Sequence, residues 1–127
     1  MSARIIVCGC RNFSDKEKCF DSLEEILSSY KEYKEYEIVS GGAKGADSFG
    51  EEYAAAHDVK VTVFKPEWKK YGKAAGPIRN KEMLDYASED NPVVIAFWDG
   101  KSKGTKDIIS KARKAGAQVY IGTYDRL

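Results

Sequence analysis

The stretch Glu37-Ile-Val-Ser-Gly-Gly-Ala-Lys-Gly-Ala-Asp47 decides the fold, because it joins a strand to a helix through a glycine-rich turn. Glu37 to Ser40 predicts a short strand, and the alanine-rich segment that follows Asp47 predicts a helix that reaches about His57. Such turns are typical of the carboxyl edge of a parallel sheet. The same strand-turn-helix unit recurs on both sides of this stretch.

Before it, Arg4 to Gly9 is a short β-branched run that ends in glycine, which is typical of a strand buried on both faces. The segment Ser14-Asp15-Lys16-Glu17 can cap a helix whose apolar positions recur at helical spacing through Tyr30. Further along, the sequence predicts a strand over Val59–Phe64, a long loop over Lys65–Pro77, a helix over Ile78–Ser88, a strand over Pro92–Trp98, a helix over Ser102–Ala115 and a last strand over Gln118–Ile121.

This alternation of strands and helices predicts an α/β fold with right-handed crossovers. We expect a single Rossmann-like, doubly wound domain over residues 1–127, with a mainly parallel sheet of about five strands and helices on both faces. A chain of this length suffices for one hydrophobic core.

The composition, with 43% hydrophobic and 32% charged residues, is that of a folded protein rather than a disordered one. The formal charge is only +1, so nothing in the charge balance favours nucleic acid or an anionic membrane. The longest apolar run, Val93 to Trp98, is too short to span a bilayer, and we expect a cytoplasmic protein. Cys8, Cys10 and Cys19 have no metal-type or disulfide-type spacing, so we expect free thiols and no metal site.

Ligands of an open parallel sheet bind outside the carboxyl ends of its strands, where helix N-termini point into a crevice. Four segments should therefore surround the site, namely Gly9–Phe13, Ser40–Asp47, Lys65–Asn80 and Trp98–Thr105. The side chains and glycines that we expect to bind ligand or phosphate are Gly9, Arg11, Asn12, Phe13, Ser40, Gly41, Gly42, Ala43, Lys44, Gly45, Asp47, Trp68, Arg79, Asn80, Trp98, Gly100, Ser102, Gly104 and Thr105.

The turn from Ser40 to Asp47 is the strongest indication of a phosphate-binding site. Its glycines let the backbone approach a phosphate closely, and the next helix presents the positive end of its dipole. The alternative is a plain tight turn in which Asp47 caps the helix. Lys44 can neutralise a phosphate, or it can simply be solvated. The segment lacks the ending of a Walker A motif and the spacing of GxGxxG.

A second turn, Asp99–Thr105, repeats this pattern after the fourth predicted strand, with Ser102 or Thr105 able to cap the helix or bind phosphate. Either turn alone is also compatible with a plain turn, whereas together they outline two walls of one crevice. Arg11 and Arg79 are available for bidentate contacts with phosphate or carboxylate. We expect Arg79 in the first turn of a helix, where a cation opposes the dipole and needs a compensating partner.

Three aromatic side chains, Trp68, Tyr71 and Trp98, can stack on a base or serve as packing anchors. Together with the two turns, they complete a pattern that resembles the SLOG superfamily of Rossmann-like nucleotide-binding proteins, and in particular its small YspA-related members from bacteria and phages. The resemblance runs nearly end to end and is carried by Gly9–Phe13, Ser40–Asp47, Trp68 with Tyr71–Asn80, and Gly100 with Ser102–Thr105.

The resemblance implies a nucleotide or ADP-ribose-like ligand, with the two glycine turns on its phosphate and ribose groups. It also implies a homo-oligomer, a dimer or a tetramer, while the charge balance and the short apolar runs favour no membrane partner. The superfamily's phosphoribohydrolases carry a PGGxGTxxE motif whose Glu acts in N-glycosidic bond cleavage. Here Ile108 occupies the position of that Glu, which argues against the enzymatic activity.

Three functions remain open at the level of sequence. The first is a binding protein that senses, carries or sequesters a nucleotide-derived molecule, for example a phage sponge for an immune signal in antiphage defence. The second is a nucleotide hydrolase that uses Asp47, Asp99 or Asp107 as a general base or to orient water. The third, nucleic-acid binding, is supported only by Lys69-Lys70 and the superfamily's DNA-processing branch, and is not expected.

Overall fold

A computed structural model of the chain describes residues 2–29 and 35–123. Its strands are β1 (Ser2–Gly9), β2 (Glu35–Ser40), β3 (Lys60–Val63), β4 (Asn91–Trp98) and β5 (Gln118–Thr123). Its helices are α1 (Lys16–Ser28), α2 (Ala46–Ala56), α3 (Trp68–Tyr71), α4 (Ala75–Ser88) and α5 (Lys103–Lys114), with a 3-10 turn over Gly72–Ala74. The predicted end of the first helix at Tyr30 lies outside the described residues.

The five strands form one parallel sheet in the order β3-β2-β1-β4-β5. The chain winds outward from β1 to β3 and then returns to β4 on the other side of β1. The predicted doubly wound α/β architecture is thus confirmed, and its strand order reverses between β1 and β4.

The two faces of the sheet are covered by different helices, because successive β1 side chains point to opposite sides. Ile5 and Val7 pack with Leu23 of α1 and Tyr53 of α2. Ile6 packs on the opposite face with Met83 of α4 and with Ile108 of α5. These residues are at most 5% exposed, so β1 is buried on both faces, as its apolar run predicts.

The predicted loop over Lys65–Pro77 is wrong for most of its length. Trp68–Tyr71 forms a short helix, and α4 begins at Ala75 rather than at Ile78. Pro77 lies inside the first turn of α4, where a backbone N–H has no acceptor within the helix, so proline is tolerated there. The sequence prediction ends the loop at Pro77 and therefore begins this helix at Ile78, three residues after its observed start.

Candidate functional site

A cavity of about 370 Å³ lies at the carboxyl ends of β1 and β4, where the strand order reverses. This is the place where open α/β sheets hold their ligands. The cavity is lined by Cys8, Gly9, Cys10, Arg11, Asn12, Ala43, Asp47, Arg79, Asn80, Met83, Ser102, Gly104, Thr105 and Ile108. Residues from both predicted glycine turns therefore meet in one cavity.

The turn after β1 forms the first wall. Its backbone is held in place because the Cys10 N–H donates to the Phe97 carbonyl of β4 at 3.1 Å. The Phe13 N–H then donates to the Cys10 carbonyl at 3.1 Å, which closes the turn. Between these bonds, Arg11 and Asn12 lie at the cavity with exposed side chains. The turn thus presents one cation and one amide to solvent at the mouth of the cavity.

The turn between β2 and α2 passes close behind the first one. Gly45 has φ 79°, and a Cβ there would lie 2.9 Å from the Arg11 carbonyl oxygen and still closer to that of Cys10. Only glycine combines this left-handed backbone with such close approach. Gly45 therefore allows the two turns to pack against each other.

The carboxylate of Asp47 points back toward the glycine-rich turn that precedes α2. The carboxylate accepts the Ala43 N–H at 3.5 Å and also interacts with the Gly41 N–H, while Gly45, not Asp47, is the N-cap of α2. The predicted alternative of Asp47 as the helix cap is therefore wrong in detail, although its carboxylate does satisfy backbone donors of the turn. These donors face Asp47, so the turn reaches the cavity mainly through Ala43 and Asp47.

Arg79 places its positive charge near the Asp47 carboxylate. Its guanidinium donates to the Gly41 carbonyl oxygen at 2.5 Å and to the Asn80 side-chain oxygen at 3.0 Å. The prediction that Arg79 lies in the first turn of its helix is wrong, because α4 begins at Ala75 and Arg79 is its fifth residue. The compensating partner that we expected for the cation is provided by Gly41 and Asp47.

Burial sets the electrostatics of this pair. It raises the pKa of Asp47 to about 6, against the opposing effects of the Arg79 charge and the Ala43 and Gly41 N–H groups. Burial also lowers the pKa of Arg79, and the Asp47 charge acts in the opposite direction. A carboxyl group with a pKa of about 6 is mostly ionised at pH 7, so Asp47 largely balances the charge of Arg79 there, and net positive charge develops on this side of the cavity only as the pH falls through about 6.

Asn80 connects α4 to the second glycine turn. Its amide nitrogen donates to the Gly104 carbonyl at 3.2 Å and to the Asp107 carboxylate at 3.0 Å. Ser102 is the N-cap of α5, and its hydroxyl oxygen accepts the Thr105 N–H at 3.5 Å. The positive end of the α5 dipole therefore points at the cavity. Arg79 and Asn80, adjacent in sequence, each hold one of the two turns.

Nine of the predicted site residues do not line this cavity. Phe13 is 2% exposed and stacks on Phe97 at 4.8 Å, so it belongs to the core. Trp98 donates its indole N–H to the Ser102 carbonyl at 3.0 Å, which is the anchoring role considered for it. Trp68 is half exposed and lies against Gly76. The other six are Ser40, Gly41, Gly42, Lys44, Gly45 and Gly100.

Four residues of the cavity were missed by the sequence reasoning, namely Cys8, Cys10, Met83 and Ile108. All four are apolar or weakly polar and nearly buried, and they form its apolar part. Burial raises the pKa of the Cys8 thiol far above its ordinary value, so Cys8 is neutral there. The one available signal was the end of the β1 run, where the thiols were read only as core residues.

Comparisons with known proteins agree with this architecture. A family model described as the YspA, cpYpsA-related SLOG family matches residues 3–71. The Gene 61 protein of Mycobacterium phage D29 is 31% identical over 121 residues, which cover 91% of this chain and 93% of that protein.

A solved structure, the DNA processing protein A (DprA) from Streptococcus pneumoniae, superimposes with a TM-score of 0.69 at 20% sequence identity. The match covers 95% of this chain but only 50% of the DprA chain, so the present sequence spans half of that structure. At this identity the likeness shows the fold alone.

Within residues 2–29 and 35–123, no helix is both long enough and apolar enough to cross a bilayer.

The family match covers the β1 turn, the glycine turn with Asp47, and β3, and the first two of these segments meet the α5 turn at the cavity. On this evidence the chain belongs to the YspA, cpYpsA-related SLOG family.

Proposed function

We propose that this protein binds a nucleotide-derived small molecule, such as an ADP-ribose derivative, a cyclic nucleotide or a mononucleotide, in the cavity between β1 and β4. The observation that carries the proposal is the convergence of Arg11, Arg79 and the N-terminus of α5 on one cavity. Its volume of about 370 Å³ is at the small end of the range typical of ligand sites.

The polar wall of the cavity provides the groups that a phosphate and a ribose require. Arg11 can pair with a phosphate, and the first N–H groups of α5 can donate to the same anion. Asn12 and the Ser102 hydroxyl, which also line the cavity, are suited to sugar hydroxyls. The apolar side formed by Cys8, Met83 and Ile108 offers a surface for the less polar part of the ligand.

Reversible binding, as in a sensor, a carrier or a sequestering protein, is favoured over hydrolysis. Ile108 lines the cavity and is 1% exposed, at the position where the phosphoribohydrolase motif carries its catalytic Glu. An aliphatic side chain there can neither transfer a proton nor stabilise developing positive charge. One version of this proposal is a protein that sequesters an immune signal of the host, and a relative of this chain is encoded by a phage.

Calorimetric titration tests the proposal, using ADP-ribose, cyclic ADP-ribose, a cyclic mononucleotide and AMP as probes. We expect saturable one-to-one binding of at least one probe, and chromatography should recover that probe unchanged. Arg11→Gln should weaken binding about tenfold or more, because it removes a charge-assisted contact. Arg113→Gln is the matched control, since Arg113 is exposed in the last turn of α5, at the opposite end from the cavity. No heat with any of the four probes would contradict the proposal.

One observation favours a hydrolase as the second candidate. Asp47 lines the cavity, and burial raises its pKa to about 6, which is suitable for a general base near neutral pH. Asp107 is less suited, because it is paired with Lys111 at 2.7 Å and bonded to Asn80. Turnover of a nucleoside monophosphate that disappears in Asp47→Asn would support this candidate, and unchanged substrate after prolonged incubation would remove it.

A further inference from the structure

The edge strand β3 carries exposed apolar side chains. Among the described residues, the large hydrophobic side chains that are exposed all lie between residues 61 and 71. Val61 and Val63 are 39% and 38% exposed, and they point to the same face of the sheet because they are two residues apart. Edge strands are usually protected by charges, prolines or bulges. In β3 only Lys60 is charged, and it is paired with Glu37 of the neighbouring strand at 3.4 Å.

The outer side of β3 also presents backbone hydrogen-bonding groups. The Phe64 N–H donates to the Ser40 carbonyl of β2 at 2.8 Å, and Ser40 is in register with Val63. In a parallel ladder, alternate residues face the same neighbour, so Thr62 and Phe64 face β2. The N–H and C=O groups of Val61 and Val63 therefore point away from the sheet.

We propose that β3 pairs in antiparallel fashion with β3 of a second copy of this chain, about a two-fold axis at Thr62. This register places Val61 opposite Val63 of the second copy and allows each such pair to exchange two backbone hydrogen bonds. The valines then form cross-strand β-branched pairs on one face of the sheet, and Thr62 lies opposite Thr62 of the second copy on the other face.

The flanking charges are compatible with this register. Lys60 falls opposite Phe64 of the second copy, and Lys65 falls opposite Val59, so no like charges face each other across the two strands. A two-fold axis uses the same surface on both copies, which is the commonest arrangement in homo-oligomers. The pairing leaves the cavity between β1 and β4 open, because β2 and β3 separate the axis from it.

Light scattering after size exclusion tests the interface. The unmodified chain should elute with twice the mass of one chain, and Val61→Lys should shift it to the monomer, because each added charge lies opposite Val63 of the other copy in the apolar pair. Ala115→Lys, at an exposed position after α5, is the control and should remain dimeric. A monomeric unmodified chain at high concentration, or a Val61→Lys variant that stays dimeric, would overturn the proposal.

A cysteine pair tests the register itself. Thr62 of one copy and Thr62 of the other form a non-hydrogen-bonded pair with Cα atoms about 4.5 Å apart, a distance that a disulfide can bridge. Thr62→Cys should therefore give a covalent dimer on mild oxidation. Val61→Cys should not, because residue 61 of one copy lies opposite residue 63 of the other and is two residues out of register with residue 61. The native cysteines Cys8, Cys10 and Cys19 are buried and do not compete. A covalent dimer of Val61→Cys without one of Thr62→Cys would refute this register.

Discussion

The Arg79 guanidinium donates a hydrogen bond of 2.5 Å to the Gly41 carbonyl oxygen, which ties helix α4 to the glycine turn at the end of β2. Asp47 accepts backbone N–H groups from the same turn, so the turn is held from both sides by opposite charges. A Cβ at Gly41 would contact both side chains, with 2.7 Å to the Asp47 carboxylate. The shape of the turn therefore depends on the contacts of these two side chains with its backbone and on the glycine that lies between them.

Replacing Arg79 should reduce the stability of the fold. Arg79→Gln removes the charge beside buried Asp47 and the bond to Gly41, so we expect a loss of about 2 kcal/mol in the free energy of unfolding. Urea denaturation measures this loss. Lys81→Gln, which breaks only the exposed pair with Asp85, is the control and should leave the stability nearly unchanged. Equal effects of the two substitutions would contradict the structural role of Arg79.

The raised pKa of Asp47 makes a prediction about pH. The folded protein binds the Asp47 proton more tightly than the unfolded chain does, because the pKa is about 6 when folded and 3.8 ordinarily. The contribution of Asp47 to stability therefore decreases as the pH rises from about 4 to about 6 and stays low above that. Asp47→Asn lacks this titration but keeps an oxygen that can accept the Ala43 N–H.

The stability of Asp47→Asn relative to the unmodified protein should therefore increase by about 1.4 kcal/mol, or one pKa unit, between pH 5 and pH 7.5. Urea denaturation of both proteins at the two pH values measures the difference, in which the other titrating groups largely cancel. A difference that is independent of pH would show that Asp47 is already ionised at pH 5.

The packing of the two turns can be tested at Gly45. Gly45→Ala introduces both a strained left-handed backbone and a clash with the Cys10 and Arg11 carbonyls. Gly116 is the matched control, because its φ of 78° is almost the same and nothing lies within 4 Å of its Cβ position. Gly116→Ala should cost about 1 kcal/mol from backbone strain alone, and Gly45→Ala should cost at least about 2 kcal/mol more. Thermal unfolding of the two variants distinguishes these contributions.

Much of the fold follows from the sequence because buried parallel strands are short apolar runs that end in glycine or polar turns. Arg4–Gly9 and Pro92–Trp98 lie within β1 and β4, and the strand-turn-helix pattern around Ser40–Asp47 predicts α2 to within a residue of its observed end. The short helix at Trp68–Tyr71 and the first three residues of α4 were missed, because Gly72, Gly76 and Pro77 are read locally as loop residues. Only the packing of this segment determines that it is helical.

The candidate site could be located by sequence but not described in detail. Topology places the turns after β1, β2 and β4 at one edge, and residues of all three line the cavity. What local patterns cannot show is the direction of a side chain, and so the inward turn of Asp47 and the burial of Phe13 were not anticipated. The apolar side of Cys8, Met83 and Ile108 comes from three distant segments that only the folded chain brings together.

Two-dimensional amide NMR of the labelled protein, titrated with ADP-ribose, cyclic ADP-ribose, a cyclic mononucleotide and AMP in turn, tests the central claim most directly. We predict that at least one of them shifts the amide resonances of Gly9–Asn12 and Ser102–Thr105 together, while residues at the opposite end of the sheet, such as Lys60 and Asn91, remain unchanged. Saturating additions that leave both segments unshifted, or that shift only one of them, would contradict a shared nucleotide site between β1 and β4.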